Sequence, residues 1–291
     1  MSWAAHEFEN YFIQKHVGTK ASFIAICLGA FLPDLFTKPF VYEHTTDAAH
    51  FHRGWPGVGF SHSLMFGVAL ALLILAVTKS RSWALGVLIG QWAHVLTDVS
   101  DTAGVMIFFP FSTQNVSISM WKHAAGQGRL GDAAAYYSGL GGIWDFFWLT
   151  MVLIFARRTL RADYFWSVVV PADLKVWAWI RRRWYLSDNG MLVLYRAYFL
   201  YGLSRMIAWF VYARFDVKVP WQPVWGGPNY IRGTHLMTGP WQHVVLSLTV
   251  GGIAFVAFLY LLWRTVGRRL WRRGIDPEIV ERGSGLRIAF H

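Results

Sequence analysis

The stretch Gly90-Gln91-Trp92-Ala93-His94-Val95-Leu96-Thr97-Asp98-Val99-Ser100-Asp101 places an imidazole and two carboxylates at helical spacing. His94 and Asp98 are i,i+4, and Asp101 follows three residues on. At helical pitch the three lie within about 60° of arc, one polar stripe on an otherwise apolar element. Imidazole and carboxylate together suit zinc, manganese or iron, so the stripe is half of a divalent-metal site. The plainer reading is a His–Asp hydrogen bond that satisfies both groups. In a soluble helix that reading is the better one. In a membrane helix buried ionisable groups are costly, and function is the default. Further donors precede the stripe: Asp34, then His44, Asp47, His50 and His52 in one loop, then His62. A zinc site takes three or four protein ligands, so some of these serve around the metal or not at all.

The elements that must position these groups read as membrane helices. Of 291 residues, 55% are apolar and 15% charged, with 17 Trp and a positive mean hydropathy. That composition excludes a disordered chain, and a single cysteine, Cys27, excludes a disulfide framework or a Cys-rich zinc module. Apolar runs predict spans near 60–78, 83–101, 140–156, 190–213 and 240–263, with a shorter segment at 21–36. The expected fold is an all-α, polytopic membrane helix bundle of five to six spans with an N-terminal amphipathic helix. It divides into a metal-site region, 1–139, and additional membrane helices with basic segments, 140–291. Glu7 and Glu9 stand where a secretory signal would be basic, so none is expected.

Cationic residues set the expected orientation. Lys79 and Arg81, the group from Arg157 to Arg183, and Arg268 to Arg273 fall on one side if the spans alternate. By the positive-inside rule that side is cytoplasmic, with the C-terminus inside and loops 37–59, 102–139 and 214–239 outside. The net charge of +11 then reflects topology and attraction to anionic lipid, and no nucleic-acid module is recognisable. The N-terminus has two readings. Either 21–36 crosses fully, or residues 4–17 form a helix that turns at Gly18 and pairs with 21–34, bringing His6 beside Asp34. The segment 162–185, with Pro171 in mid-run, reads as an interfacial cytoplasmic element.

Five short motifs occur in order: Leu32-Pro33-Asp34; His52-Arg53-Gly54; His62-Ser63-Leu64; His94 with Asp98; and Thr102-Ala103-Gly104-Val105 in a segment closing at Pro110. Over about residues 1–112 the chain resembles the YdjM-like family of LexA-binding, inner-membrane-associated, metal-dependent hydrolases. The resemblance implies metal-ligand roles for His6, Asp34, His52, His62, His94 and Asp98. The family's early histidine matches His6 and favours the helical hairpin. The chain departs from the pattern at Phe36, where a second carboxylate is expected. It departs also in the RGWPGVGFS segment separating His52 from His62, and at Asp101, where Thr is common. These departures put a second metal in doubt. Asp47 or Asp101 can replace the missing carboxylate, and His50 can stand in for His52. LexA binding does not carry over, because an outward-facing site cannot itself read a cytoplasmic regulator.

The expected function is a divalent-metal hydrolase at the outer membrane surface, using zinc or else manganese or iron. Its partner is the bilayer and its substrate a lipid or lipid-linked phosphoester. Arg53 would clamp an anionic group, and Asp101 or Asp47 would serve as general base. The alternatives are a transporter, and a structural or regulatory membrane protein whose metal only holds loops. Beyond the site, Asp145 and Arg205 are expected to pair structurally, and Arg196 to snorkel. The Trp-rich loop 220–243, with His235 and His243, reads as an interfacial aromatic belt.

Overall fold

The computed structural model describes residues 4–41, 59–100, 104–112 and 136–216, with isolated positions elsewhere. Among these, the regular elements are helical, and one isolated antiparallel bridge joins Val105 to Val116. Seven longer helices carry the architecture: α1 (Ala5–Val17), α2 (Phe23–Val41), α3 (Leu64–Thr78), α4 (Arg81–Asp98), α5 (Leu140–Ile154), α6 (Leu174–Trp184) and α7 (Asp188–Val211). No described helix is long and apolar enough to cross a membrane. The expected span 240–263 lies almost wholly outside the described residues.

Local chemistry marks the helix ends. Ser63, Ser80 and Ser187 cap α3, α4 and α7, each hydroxyl accepting from the backbone N–H three residues on. Lys79 in the left-handed conformation ends α3, so α3 and α4 form a tight hairpin. Gly18, at φ 55°, ends α1 and starts a 3-10 turn (Gly18–Lys20) that leads into α2. The helical hairpin expected of the N-terminus is therefore present. The segment 162–185 is helical but interrupted by a π-helical stretch, Phe165–Val169, ahead of Pro171.

Two packing relations position the site. In the first, α2 lies against α4 with almost no side chain between them. A Cβ on Gly90 would sit 2.1 Å from the Ile26 carbonyl oxygen, and one on Gly29 2.4 Å from that of Val87. Only glycine allows this approach, which sets the carboxyl-terminal part of α2 opposite that of α4. In the second, α1 runs through the bundle and packs against α2, α4, α5 and α7. Residues Ala5 to Tyr11 are all buried. This corrects the amphipathic expectation, since α1 presents no solvated face at its start. Several of its polar groups find partners inside the bundle. Asn10 donates to the Tyr198 hydroxyl at 2.9 Å, and Tyr11 donates to the Tyr195 carbonyl at 2.6 Å.

The largest apolar cluster gathers Phe8, Tyr11, Phe23, Phe165, Trp177, Tyr195 and Phe199. A second, with Leu32, Phe60, Leu70, Val87, Met106 and Phe109, folds segment 104–112 back over the site end of the bundle. There the Leu64 N–H donates to the Ile107 carbonyl at 3.1 Å.

Candidate metal centre

Asp34 on α2, His62 closing the 3-10 turn Gly59–His62, and His94 and Asp98 on α4 come together. One ligand atom from each lies within 4.8 Å of the other three, and all four residues are buried. His62 Nε2 and His94 Nε2 are 3.3 Å apart. Asp98 Oδ2 is 3.1 Å from His94 Nε2 and 3.6 Å from His62 Nε2. Asp34 Oδ1 is 3.6 Å from His62 Nε2 and 3.9 Å from His94 Nε2. In a tetrahedral site with bonds of about 2.0–2.1 Å, ligand atoms sit roughly 3.3–3.5 Å apart, because the edge is about 1.6 times the bond. The spacing therefore fits a cation at the centre of the group. The chemistry fits too, since two imidazole nitrogens and two carboxylates are the donor types that suit zinc, manganese or iron.

Three elements hold the four donors. The i,i+4 spacing on α4 turns His94 and Asp98 to one face, as their sequence positions predict. Gln91, one turn before His94, donates from Nε2 to the carbonyls of Ser61 and Ser63, both at 2.9 Å. It thereby fixes the turn that carries His62. Ser61 hydrogen-bonds the Pro33 carbonyl at 3.3 Å and lies 3.3 Å from His62 Nδ1, joining that turn to α2 beside Asp34. The sequence reading missed Gln91 and Ser61. A wholly buried amide three residues from His94 on an apolar helix is the signal that could have found Gln91.

His6 reaches this group from α1, but as a neighbour of Asp98. Its Nε2 is 3.4 Å from Asp98 Oδ1, and its ring stacks on His94 with centroids 4.1 Å apart. On the other side, His6 Nδ1 is 3.0 Å from Glu9 Oε1, and Thr97 donates to Glu9 Oε2 at 2.6 Å. His6 is thus held between two carboxylates, Asp98 and Glu9. Glu9 and Thr97 were likewise not foreseen, although Glu9 sits one turn after His6. His52, Arg53, Asp47, Asp101, His44, His50, His235 and His243 all lie outside the described residues.

A second buried polar group lies next to the first along α1. Asp145 accepts from the Tyr136 and Tyr137 hydroxyls, both at 2.6 Å, and from the Ala5 N–H at 3.1 Å. Arg205 forms an ion pair with Glu7. The expected Asp145–Arg205 pairing thus omitted Glu7, which sits one residue from His6. Arg196 does not simply snorkel, since its Nε donates to the Leu160 carbonyl at 2.8 Å.

No curated protein and no solved structure matches the chain. A family model described as YdjM inner membrane protein matches residues 5–204, well past the residue 112 at which the motif-based resemblance stopped. The match takes in α1 to α6, most of α7 and every residue of the metal group, more than half of the 291 residues. The chain belongs to the YdjM family of inner membrane proteins.

Proposed function

We propose that this protein is a membrane-embedded, divalent-metal-dependent hydrolase acting at the outer membrane surface on a lipid or lipid-linked phosphoester. The observation that carries the reading is the convergence of Asp34, His62, His94 and Asp98 from three separate elements, with one ligand atom of each within 4.8 Å of the others. A bound zinc, manganese or iron ion would polarise an ester oxygen and acidify a water. The chain's own residues do the rest. His62, His94, Asp34 and Asp98 hold the ion, while Gln91 and Ser61 keep the His62 turn in register with α2 and α4. The hydrophobic segment 104–112 screens that end of the bundle. Arg53, and Asp47 or Asp101, remain the proposed anion clamp and general base, with His52 a further ligand beside them.

Membrane embedding draws support from the family and from the outward faces of the helices. Leu72, Leu96, Leu153, Val193 and Leu200 are each at least half exposed, an apolar surface that lipid would cover. The multi-pass topology with a cytoplasmic C-terminus, and lipid as a partner, belong to this proposal and rest on the basic clusters. The complete burial of His62 and Asp98 also suits an ion that only ties helices together. Two measurements separate these readings: metal content, and turnover of lipid phosphoesters in mixed micelles. Wild type is expected to hold metal and hydrolyse a phosphoester. Asp98→Ala should lose both, and Asp145→Asn should keep both. Metal retained by Asp98→Ala would refute the site, and metal without turnover of any phosphoester would leave the structural ion.

A further inference from the structure

Residues 102–121 carry no Asp, Glu, Lys, Arg or His. Part of this run doubles back on itself. Val105 and Val116 exchange both backbone hydrogen bonds, at 3.1 and 2.9 Å, and between them the chain turns at Phe108-Phe109-Pro110-Phe111. The two sides of the turn differ. Met106 and Phe109 are buried against Leu32 and Phe60, which stand two residues before Asp34 and His62. Phe108 and Phe111 point away from that cluster and are 55% and 81% exposed. The backbone of the turn is closed on itself. The N–H groups of Phe109, Phe111 and Ser112 donate to the carbonyls of Met106, Phe108 and Phe108, at 3.0, 2.9 and 3.2 Å, and Pro110 has no N–H. Irregular backbone enters a hydrocarbon phase only when its polar groups are satisfied in this way. The polar side chains Ser112 and Gln114 follow directly. An apolar tip next to a short polar stretch is the pattern of an element seated at the boundary of headgroups and acyl chains.

We propose that the Phe108–Phe111 turn is a lipid anchor, inserted into the leaflet on the side of the metal group. The proposal rests on the membrane embedding read above and adds which segment enters the bilayer beside the site. Lipid is the occupant that the surroundings select. The tip continues an apolar surface that includes Met65 on α3 and Leu96 on α4, both exposed, and a carbonyl near its base, that of Ile107, accepts from the Leu64 N–H at the start of α3. Because Met106 and Phe109 pack on the segments that carry Asp34 and His62, seating the tip also fixes the depth of the metal group. The group then lies near the headgroups, where a phosphoester of the same leaflet would stand.

The test uses full-length protein reconstituted in phospholipid bilayers, with Cys27→Ala removing the single native cysteine. A nitroxide label is placed on Phe111→Cys, Gln114→Cys or Leu72→Cys, the last on the exposed face of α3. Electron paramagnetic resonance compares collisions of the label with oxygen, which concentrates among acyl chains, and with a water-soluble nickel chelate. The label at 111 is expected to favour oxygen, at a depth of about 5–10 Å into the boundary of headgroups and acyl chains. The label at 72 should lie deeper, and the label at 114 should meet the nickel chelate. Phe108→Cys, which retains Phe111, should repeat the result at 111, so the answer does not depend on one substitution. Nickel reaching 108 and 111 as freely as 114, with 72 still in lipid, would overturn the anchor and leave the membrane embedding standing. Labels at 108 and 111 that neither reagent reaches would be packed against protein, and would overturn it too. A label at 72 in water would sink the embedding itself, and the anchor with it.

Discussion

Two clusters of ionisable residues are buried side by side, and they are built on opposite principles. Around Asp145 and Glu7, each charge has a complementary partner: two tyrosine hydroxyls and a backbone N–H for Asp145, the Arg205 guanidinium for Glu7. Around Asp98, imidazoles and carboxylates crowd one point instead. Two imidazole nitrogens 3.3 Å apart confront two buried carboxylates. A fold holds charges in its interior when they are paired, and imidazoles gathered with carboxylates at one point are the donor set of a cation site. The first cluster is therefore framework, and the second is the candidate site. They share α1, which carries Glu7 and His6 as neighbours in sequence.

The sharpest break in this comparison comes from removing ligands. His62→Ala or His94→Ala is expected to abolish metal binding and hydrolysis while leaving the Asp145 cluster intact. Elemental analysis of purified protein checks it, and metal content equal to wild type in the double variant would leave only a hydrogen-bonded His–Asp pair. Next in size is Arg205→Ala. It leaves Glu7 buried without its ion pair and should cost about 3–5 kcal/mol, towards the lower end because the Arg205 side chain is 21% exposed. Thermal unfolding in detergent reads the loss. Metal stoichiometry should be unchanged in the surviving folded protein, and a loss of metal would show that the two clusters are not separable.

Asp173 offers a control remote from both clusters. It precedes α6 and accepts from the Ser22 hydroxyl at 2.6 Å. Burial pushes its carboxyl up from the usual 3.8 to about 6, although hydrogen bonds from Ser22, Trp83 and the Val176 backbone oppose the rise. The folded state therefore binds more protons than the unfolded state between those values. The stability that Asp173 contributes is largest below pH 4 and falls as pH rises through about 6, by roughly 3 kcal/mol in all. Asp173→Asn should remove this slope. The stability difference between wild type and variant, measured from pH 4 to 8, should swing in favour of the variant as pH rises. A difference independent of pH would show that Asp173 is not held in its neutral form.

The smallest expected effect is also the most local. Gln91→Leu keeps the volume of the side chain but releases the carbonyls of Ser61 and Ser63. Metal affinity should fall about 10–100-fold with every ligand in place. Isothermal titration would measure it, and unchanged affinity would mean that packing alone holds the His62 turn.

Much of the candidate site was legible because its logic is local. The i,i+4 spacing of His94 and Asp98 needs only helical geometry, and the ordered motifs at Leu32-Pro33-Asp34 and His62-Ser63-Leu64 flagged the other two donors. The N-terminal hairpin was legible from Gly18 and two segments of matching length. Glu9, Thr97, Gln91 and Ser61 were not, because each acts through a partner far along the chain. The Glu9–Thr97 bond spans 88 positions and the Gln91–Ser61 bond 30. No periodicity encodes such pairs. The burial of α1 was misread for a related reason. A helix bearing His6, Glu7, Glu9 and Asn10 looks half-solvated until Arg205, Thr97 and Tyr198 are seen to meet those groups from other helices.

Sequence alone determined the all-helical class, the inner-membrane family and four donors of a metal group, since composition, spacing and motif order are properties of the chain as written. The tertiary structure decided which oxygen of Asp98 faces which histidine, that Arg205 answers Glu7, and that His6 stands beside the four-ligand group. Those outcomes depend on the close contact of α2 with α4 at Gly29 and Gly90, and on the path of α1 through the bundle. Both are set by packing between residues distant in sequence, where steric fit and the pairing of buried charge select one arrangement from many.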